Sequence, residues 1–181
     1  MLQDKLLIRE IKKGSTDALG KLYEKYRDDL LRIGASLLND KSSAEDAVHD
    51  TFVMFVRGSR EFVLTGRLKG YLATCVANRA RNIQKTAQRR GTVGLETVKA
   101  ETSTMKRPDE WVIFTEEFAR LCNAMAQLPY EQKEAIVLHI QARMKFREIA
   151  KLQATSIKTV QSRYRYGINK LRSMLDDEVK E

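Results

Sequence analysis

The side chains with the clearest chemical task lie near the C-terminus, where residues 143–172 contain nine Lys or Arg and one acid, Glu148. Read as a helix, this segment places four polar side chains on one side: Lys158, Gln161, Ser162 and Arg165. Guanidinium and amide groups form paired hydrogen bonds with base edges, and Lys neutralises phosphate. The chemistry that these residues predict is therefore recognition of duplex DNA, and not the making or breaking of bonds.

Two short helices must position these side chains. The second carries an apolar stripe at steps of three and four residues, formed by Val160, Tyr164, Ile168, Leu171 and Leu175. A break at residues 154–156 precedes it, and the Ser156 hydroxyl can cap the new helix. This is a helix-turn-helix, which reads DNA with the start of its second helix in the major groove. A merely solvated helical hairpin is the alternative; the cap and the one-sided charge favour DNA binding.

A second basic segment, residues 67–90, holds seven basic residues and no acid. Its outward-facing polar residues are Lys69, Asn78, Arg81, Asn82, Lys85, Arg89 and Arg90. Unopposed charge of this density predicts a nucleic-acid surface. Tyr71 beside it could stack on an unpaired base, although an isolated tyrosine is more often a core-edge residue.

An acidic strip precedes this segment, on a predicted helix over residues 42–56. Glu45, Asp46, His49 and Asp50 share one face, and the buried face is formed by Ala44, Val48, Phe52 and Phe55. Ser42 and Glu45 have the spacing of a capping box. The strip is either a docking surface for a basic protein or an ordinary solvated face, and the residues alone favour neither.

Composition excludes several other classes of protein. The chain has 181 residues, a formal net charge of +9 and no apolar run of membrane-spanning length, and its N-terminus does not resemble a secretory signal. Cys75 and Cys122 are predicted to be free thiols in a reducing compartment, which indicates the cytoplasm. His49 and His139 lack ligand-spaced neighbours, so we expect no metal, no cofactor and no enzymatic activity.

The predicted fold class is all-α, with two small helical domains joined by a flexible linker, the second a helix-turn-helix (winged-helix-like) domain. The first domain spans residues 1–90, with helix breaks at 14–15, 39–40, 58–59 and 66. Residues 91–109 are rich in Gly, Thr, Ser and charge, which indicates the linker. The second domain spans residues 110–181.

These segments, in this order, resemble a bacterial RNA polymerase sigma factor of the extracytoplasmic-function subfamily of the sigma-70 family. The resemblance covers nearly the whole chain and rests on four motifs: AEDAVHDTF at 44–52, YLATCVANRARN at 71–82, LPYEQKEAIVLHI at 128–140 and EIAKLQATSIKTVQSRYRYGINKLR at 148–172. The chain departs from the usual motifs at His49 and Asp50, at Tyr71 where Trp is common, and at Arg143 and Ala154 where Gly is common.

The resemblance implies a function and a role for each surface. Glu45, Asp46, His49 and Asp50 would dock on the clamp helices of core RNA polymerase. The basic segment, with Lys69, Tyr71, Asn78, Arg81, Asn82, Lys85, Arg89 and Arg90, would bind the melted −10 promoter element. The −35 element would be read by Ser156, Lys158, Thr159, Gln161, Ser162, Arg163 and Arg165. Promoter DNA and core polymerase are thus the implied partners, with an anti-sigma protein as a third partner known for many family members.

The alternative function is a stand-alone helix-turn-helix regulator that does not bind polymerase. That function would not explain why one chain carries both the acidic strip and the acid-free basic segment. An enzyme is less favoured still, because the sequence contains no paired catalytic carboxylates, metal cluster, phosphate-binding loop or nucleophile–base pair.

Overall fold

The computed structural model describes residues 2–91 and 115–178, and within these ranges it contains eight α-helices and no strand. The helices are α1 (Leu2–Lys12), α2 (Thr16–Leu38), α3 (Lys41–Gly58), α4 (Leu68–Gly91), α5 (Glu116–Ala126), α6 (Tyr130–Ile140), α7 (Phe146–Leu152) and α8 (Ile157–Glu178). The all-α prediction is confirmed. Apart from Gly91, the predicted linker at 91–109 lies outside the described residues, as do the side chains of Arg89 and Arg90.

Capping residues set the ends of the first helices. The Ser15 hydroxyl accepts a hydrogen bond from the Ala18 amide, and α2 ends at Asn39 with left-handed backbone, φ 54°. Asp40 then caps α3 by accepting from the Ser43 amide at 2.7 Å. The predicted capping box at Ser42 is therefore wrong, because an acceptor two residues earlier already serves the first turn.

The first core is built around α2, which contacts α1, α3 and α4. Its fully buried side chains include Leu22, Leu30, Ile33 and Leu37. The predicted inner face of α3 is confirmed, since Ala44, Val48, Phe52 and Phe55 are all buried. This packing fixes the acidic strip on the opposite face of α3 and presents α4 beside it.

Helices α2 and α3 approach each other closely at Gly34. A Cβ at that position would lie 3.1 Å from Ala44 Cβ and 3.3 Å from Ala44 Cα. We expect Gly34→Ala to be about 1–3 kcal/mol less stable than Gly20→Ala, because the backbone at Ala44 cannot move without separating the helices. Gly20 is the control, since it lies on the same helix with nothing within 4 Å. Urea titration of both variants measures the difference, and equal midpoints would contradict it.

A buried carboxylate attaches α1 to α2. Asp4 accepts hydrogen bonds from Lys25 Nζ at 2.7 Å and from Tyr26 Oη at 2.9 Å. Burial alone would raise the Asp4 pKa, but the hydrogen bonds from Lys25 and Tyr26 outweigh it, and the pKa lies below its ordinary value. The folded protein therefore holds Asp4 in its charged form more strongly than the unfolded chain does.

This difference predicts a pH dependence of stability. Because the folded pKa is depressed, the stabilisation is present above the unfolded pKa of about 3.9 and is lost as pH falls through the folded value. We expect Asp4→Asn to lower the free energy of unfolding by about 1–3 kcal/mol at pH 7 and by much less below pH 3. Asp17→Asn, at an exposed i,i+4 pair with Lys21, should change stability by less than about 0.5 kcal/mol. Denaturation across pH would show whether the Asp4 effect is instead constant.

The second domain confirms the helix-turn-helix. Helix α7 is followed by Ala154, whose φ of +50° is left-handed, and the Ser156 hydroxyl caps α8 by accepting from the Thr159 amide at 3.0 Å. Arg143 before α7 is also left-handed, with φ 54°. Gly is common at both positions in the family that the chain resembles. The left-handed turns are retained here, although Ala and Arg adopt this backbone conformation less easily than Gly.

The two domains contact one another. Helix α2 packs against α5 and α6 as well as against its own domain, and residues 133–138 of α6 are buried without interruption. Helix α6 therefore lies between the rest of its own domain and the first domain. This arrangement places the basic helix α4 beside α6 of the second domain.

Candidate nucleic-acid and protein interfaces

The start of α8 presents an exposed polar surface. Of the predicted −35 residues, Ser156, Lys158, Gln161 and Arg165 are exposed, whereas Thr159, Ser162 and Arg163 are partly buried. The Arg165 guanidinium lies over the ring of the exposed Tyr166, 5.4 Å from its centroid. The capping residue Ser156 has its hydroxyl committed to the helix end, so Lys158, Gln161 and Arg165 are the side chains best able to reach a major groove.

Arg163 points elsewhere. Its Nη1 donates to Gln153 Oε1 at 2.7 Å, and Gln153 lies in the turn between the two helices. In this arrangement Arg163 stabilises the helix-turn-helix itself.

Two of the predicted DNA-binding side chains of the basic helix α4 are bound within the protein, which its sequence did not indicate. Asn78, Asn82 and Lys85 are exposed, but Lys69 forms an ion pair with Asp29 at 2.6 Å. Arg81, another predicted −10 residue, is bound to Glu134 of the second domain. Of the predicted −10 residues whose side chains the structure describes, Asn78, Asn82, Lys85 and Tyr71 are therefore the exposed ones.

Tyr71 belongs to an aromatic cluster and yet remains accessible. Its ring centroid lies 4.7 Å from that of Phe62 and 6.4 Å from that of Phe55. The side chain is 40% exposed, and burial of the rest raises its pKa. Tyr71 lines a cleft of about 710 Å³, whose opposite wall includes Arg143, Met144 and other residues of the second domain. Both readings of Tyr71 thus describe part of its position: it is a core-edge residue whose side chain remains partly accessible.

The acidic strip on α3 divides into two parts. Glu45, Asp46 and His49 are exposed, whereas Asp50 forms an ion pair with Arg79 of α4 at 2.6 Å. The strip lies next to an apolar groove of about 570 Å³, which is lined by Thr16, Leu19, Gly20, Tyr23, His49, Phe52, Val53, Val56 and Arg57. An apolar groove beside exposed carboxylates can bind a helix that carries both apolar and basic residues.

Sequence reasoning did not identify this groove. It is formed by two helices, with Tyr23 of α2 packed edge-on against Phe52 of α3 at 4.9 Å between ring centroids. Val53 and Val56 of α3 were the available signal, because they fall outside the buried helical stripe and are apolar.

Sequence reasoning also missed Glu134. Its carboxylate is only 1% exposed, and it accepts hydrogen bonds from Arg81 Nη2 at 2.7 and 2.8 Å and from Gln153 Nε2 at 2.9 Å. The signal was a charged pair, Lys133–Glu134, inside a helix whose other residues over 135–138 are apolar. A helix that is buried on all sides must find partners for such charges.

Among the described residues, no group of three or more His, Cys, Asp or Glu side chains could hold a metal ion. No helix in the same part of the chain combines the length and apolar character needed to cross a membrane.

Two family models match the chain in succession: Sigma-70 region 2 over residues 22–90 and Sigma-70, region 4 over residues 119–171. The ECF RNA polymerase sigma factor BldN of Streptomyces coelicolor is 26% identical over 178 residues, which cover 96% of this chain and 66% of BldN. The ECF RNA polymerase sigma factor SigW of Bacillus subtilis is 22% identical over 178 residues, which cover 94% of this chain and 95% of SigW.

Solved structures show the same fold. The structure of CnrH in complex with the cytosolic domain of CnrY aligns with a TM-score of 0.68 at 22% identity, covering 97% of this chain and 98% of that one. The sigma factor RpoE of Bartonella quintana, solved with the anti-sigma factor NepR, aligns with a TM-score of 0.62 at 22% identity, covering 86% of this chain and 97% of that one.

Proposed function

This chain belongs to the extracytoplasmic-function group of the sigma-70 family, and on that premise we propose how its surfaces direct promoter-specific initiation by core RNA polymerase. The observation that carries the proposal is the presence, in one chain, of a region 2 domain with an acidic docking face and a region 4 domain with an exposed recognition helix. The stand-alone regulator is not favoured, because residues 22–90 match sigma-70 region 2.

The acidic strip and the adjoining groove bind the polymerase. Glu45 and Asp46 are exposed at the start of α3, and Tyr23, Phe52 and Val56 supply apolar contact area beside them. His49 lies between the two surfaces. Charges at the rim guide association with a basic partner, and the apolar groove supplies the buried area. Asp50 contributes to the fold through Arg79 and is secondary in docking.

The basic helix α4 binds the −10 element. Asn78, Asn82 and Lys85 are exposed. Tyr71 is 40% exposed, and an unpaired base can stack on its accessible part. Extruding a base costs about a few kcal/mol, which stacking and phosphate contacts offset. Lys69 and Arg81 join this surface when their present carboxylate partners are displaced, and Arg89 and Arg90 extend it along the same segment.

The recognition helix α8 reads the −35 element. Gln161 and Arg165 can pair with base edges, and Lys158 is suited to phosphate. Thr159, Ser162 and Arg163 support this surface from its partly buried side, and Ser156 fixes the helix end. The protein supplies promoter recognition alone, and the polymerase carries out phosphodiester synthesis. We expect both to act in the cytoplasm. An anti-sigma protein is a further expected partner.

In vitro transcription tests this function directly. Purified full-length protein is added to core polymerase on a library of genomic fragments, and the transcripts are sequenced. We expect new start sites that share sequence elements near −10 and −35. If the protein does not bind core enzyme in a pull-down and no start site depends on it, the proposed function is wrong.

A further inference from the structure

The cleft beside Tyr71 has the size and position of a small-molecule site. Its first wall belongs to the first domain and includes Tyr71, Phe62 and the connection before α4. Its second wall belongs to the second domain and is formed by residues 142–145 and by side chains of α7. The volume of about 710 Å³ lies within the range of about 300–1,000 Å³ that ligand sites occupy, and such sites are common between domains. The cleft can therefore accommodate a ligand that touches both walls.

Positive charge is in excess around this cleft. Its lining contains one carboxylate and five cations, Arg67, Arg143, Lys145, Arg147 and Lys151. All five are exposed, and none forms an ion pair with another residue that the structure describes. The carboxylate of Glu148 accepts a hydrogen bond from the Lys145 backbone amide at 2.7 Å. Like charges gathered around one cleft repel each other, and a bound anion removes that repulsion. The charge of the lining therefore predicts an anionic ligand.

Two of these cations are arranged to hold phosphate. Arg147 and Lys151 line the cleft four residues apart on α7, so they project from one face of the helix. A guanidinium offers paired donors to phosphate oxygens, and an ammonium adds a compact positive charge. The walls approach each other nearby, where Thr74 Oγ1 of α4 lies 4.0 Å from Met144 Sδ. A ligand of modest length can therefore contact α7 and the first domain together.

Tyr71 supplies an aromatic surface on the first wall. Its side chain is 40% exposed and lines the cleft, and Phe62 packs against its ring at 4.7 Å between centroids. Nucleobases stack on aromatic rings of this kind. We propose that the cleft binds a nucleoside polyphosphate, with the base at Tyr71 and the phosphates at Arg147 and Lys151.

This proposal adds a small-molecule ligand to a chain whose proposed function requires only polymerase and promoter DNA. A nucleotide at Tyr71 occupies the side chain on which an unpaired −10 base would stack, so the two exclude each other there. That consequence rests on the proposed function. Binding of the nucleotide does not, because it is measured on the full-length protein alone.

Three probes distinguish a nucleotide site from a general polyanion surface. Guanosine triphosphate, guanosine and inorganic tripolyphosphate are titrated into the protein at one ionic strength and followed by isothermal titration calorimetry. The triphosphate is expected to bind at least about tenfold more tightly than either of the others, because it alone makes both the stacking and the phosphate contacts. Equal affinities for guanosine triphosphate and tripolyphosphate would overturn the proposal.

A matched pair of variants tests the phosphate contacts. Arg147→Gln combined with Lys151→Gln removes two cations from the cleft, and Arg9→Gln combined with Lys12→Gln removes two exposed cations from α1, outside it. The first variant is expected to bind guanosine triphosphate about tenfold more weakly or worse, and the second within about twofold of the wild type. Equal losses in the two variants would show an effect of net charge alone and would overturn the assignment of these residues.

Substitution of Tyr71 tests the position of the base. Tyr71→Leu is expected to weaken binding of guanosine triphosphate about fivefold or more while tripolyphosphate binding stays within about twofold, and Tyr71→Phe should keep the wild-type affinity for both. Thermal denaturation of each variant shows whether it is folded, and the Phe variant provides a reading if Tyr71→Leu is not. Loss of guanosine triphosphate binding in Tyr71→Phe, or no loss in a folded Tyr71→Leu, would overturn the stacking. Failure of the proposed function is recognised separately, by the pull-down of core polymerase.

Discussion

Replacing Glu45 and Asp46 together by lysine is expected to weaken binding to core RNA polymerase by about 30-fold or more, which corresponds to about 2 kcal/mol. Both side chains are exposed on α3 beside the apolar groove. Reversing them leaves the groove intact but presents a positive rim to a basic partner, so attraction becomes repulsion. Surface substitutions of this kind change folding stability by less than about 0.5 kcal/mol. Fluorescence anisotropy with labelled protein and purified core enzyme measures the affinity.

The control for this variant changes the net charge equally at another place. Glu10→Lys with Glu24→Lys reverses two exposed acids of α1 and α2 that do not line the docking groove. This control should bind core enzyme within about twofold of the wild type. Asp50 is left unchanged in both, because its ion pair with Arg79 at 2.6 Å would mix a folding effect with a docking effect. Equal affinities of test and control would show that the strip is only a solvated face.

Helical periodicity was sufficient to predict most of the fold. The stripe from Val160 to Leu175 predicted the buried face of α8. Val160 and Leu171 are buried, and the other members, Tyr164, Ile168 and Leu175, are partly buried and packed against the core. Ser156 was predicted as the cap of α8 from its hydroxyl and its position after the turn, and the Thr159 amide confirms it. These features depend on residues close together in the chain, where one sequence window contains all the partners.

The contacts between distant segments could not be predicted in this way. Arg81 and Glu134 are 53 residues apart, and nothing in the sequence of α4 distinguishes Arg81 from Lys85, which remains exposed. The same holds for Asp50. The sequence does not distinguish it from the other three members of the acidic strip, but in the structure it forms an ion pair with Arg79. Charge predicts that a surface attracts an opposite charge, but packing decides whether that charge is internal or belongs to a partner.

These internal pairs change how the candidate sites operate. Lys69, Arg81 and Arg163 are each bound within the protein. If they have the DNA-binding roles proposed for them, promoter DNA must compete with a carboxylate or an amide for each. Breaking each internal pair costs the same free energy on every DNA sequence, so this competition lowers the affinity for specific and non-specific DNA alike.

Arg165→Ala is expected to lower affinity for a promoter with an intact −35 element by about 1–3 kcal/mol, or about 5- to 150-fold. Arg165 is exposed near the start of α8 and lies over Tyr166, which restricts the orientation of its guanidinium. A guanidinium whose orientation is already restricted loses less conformational freedom when it pairs with a guanine edge. The loss is therefore expected to be specific to the base pair that Arg165 contacts.

Lys170→Ala is the control for Arg165→Ala, because it removes one positive charge from the same helix. Lys170 donates to the Gln127 carbonyl at 3.1 Å, which directs it toward the α5–α6 connection and away from the recognition surface. Both variants, assembled with core polymerase, are titrated onto promoter fragments that differ at single −35 positions. A direct base contact predicts that Arg165→Ala loses its preference at one position while Lys170→Ala keeps it. A uniform loss on every fragment, with a salt dependence reduced by about one phosphate contact, would make Arg165 a phosphate ligand.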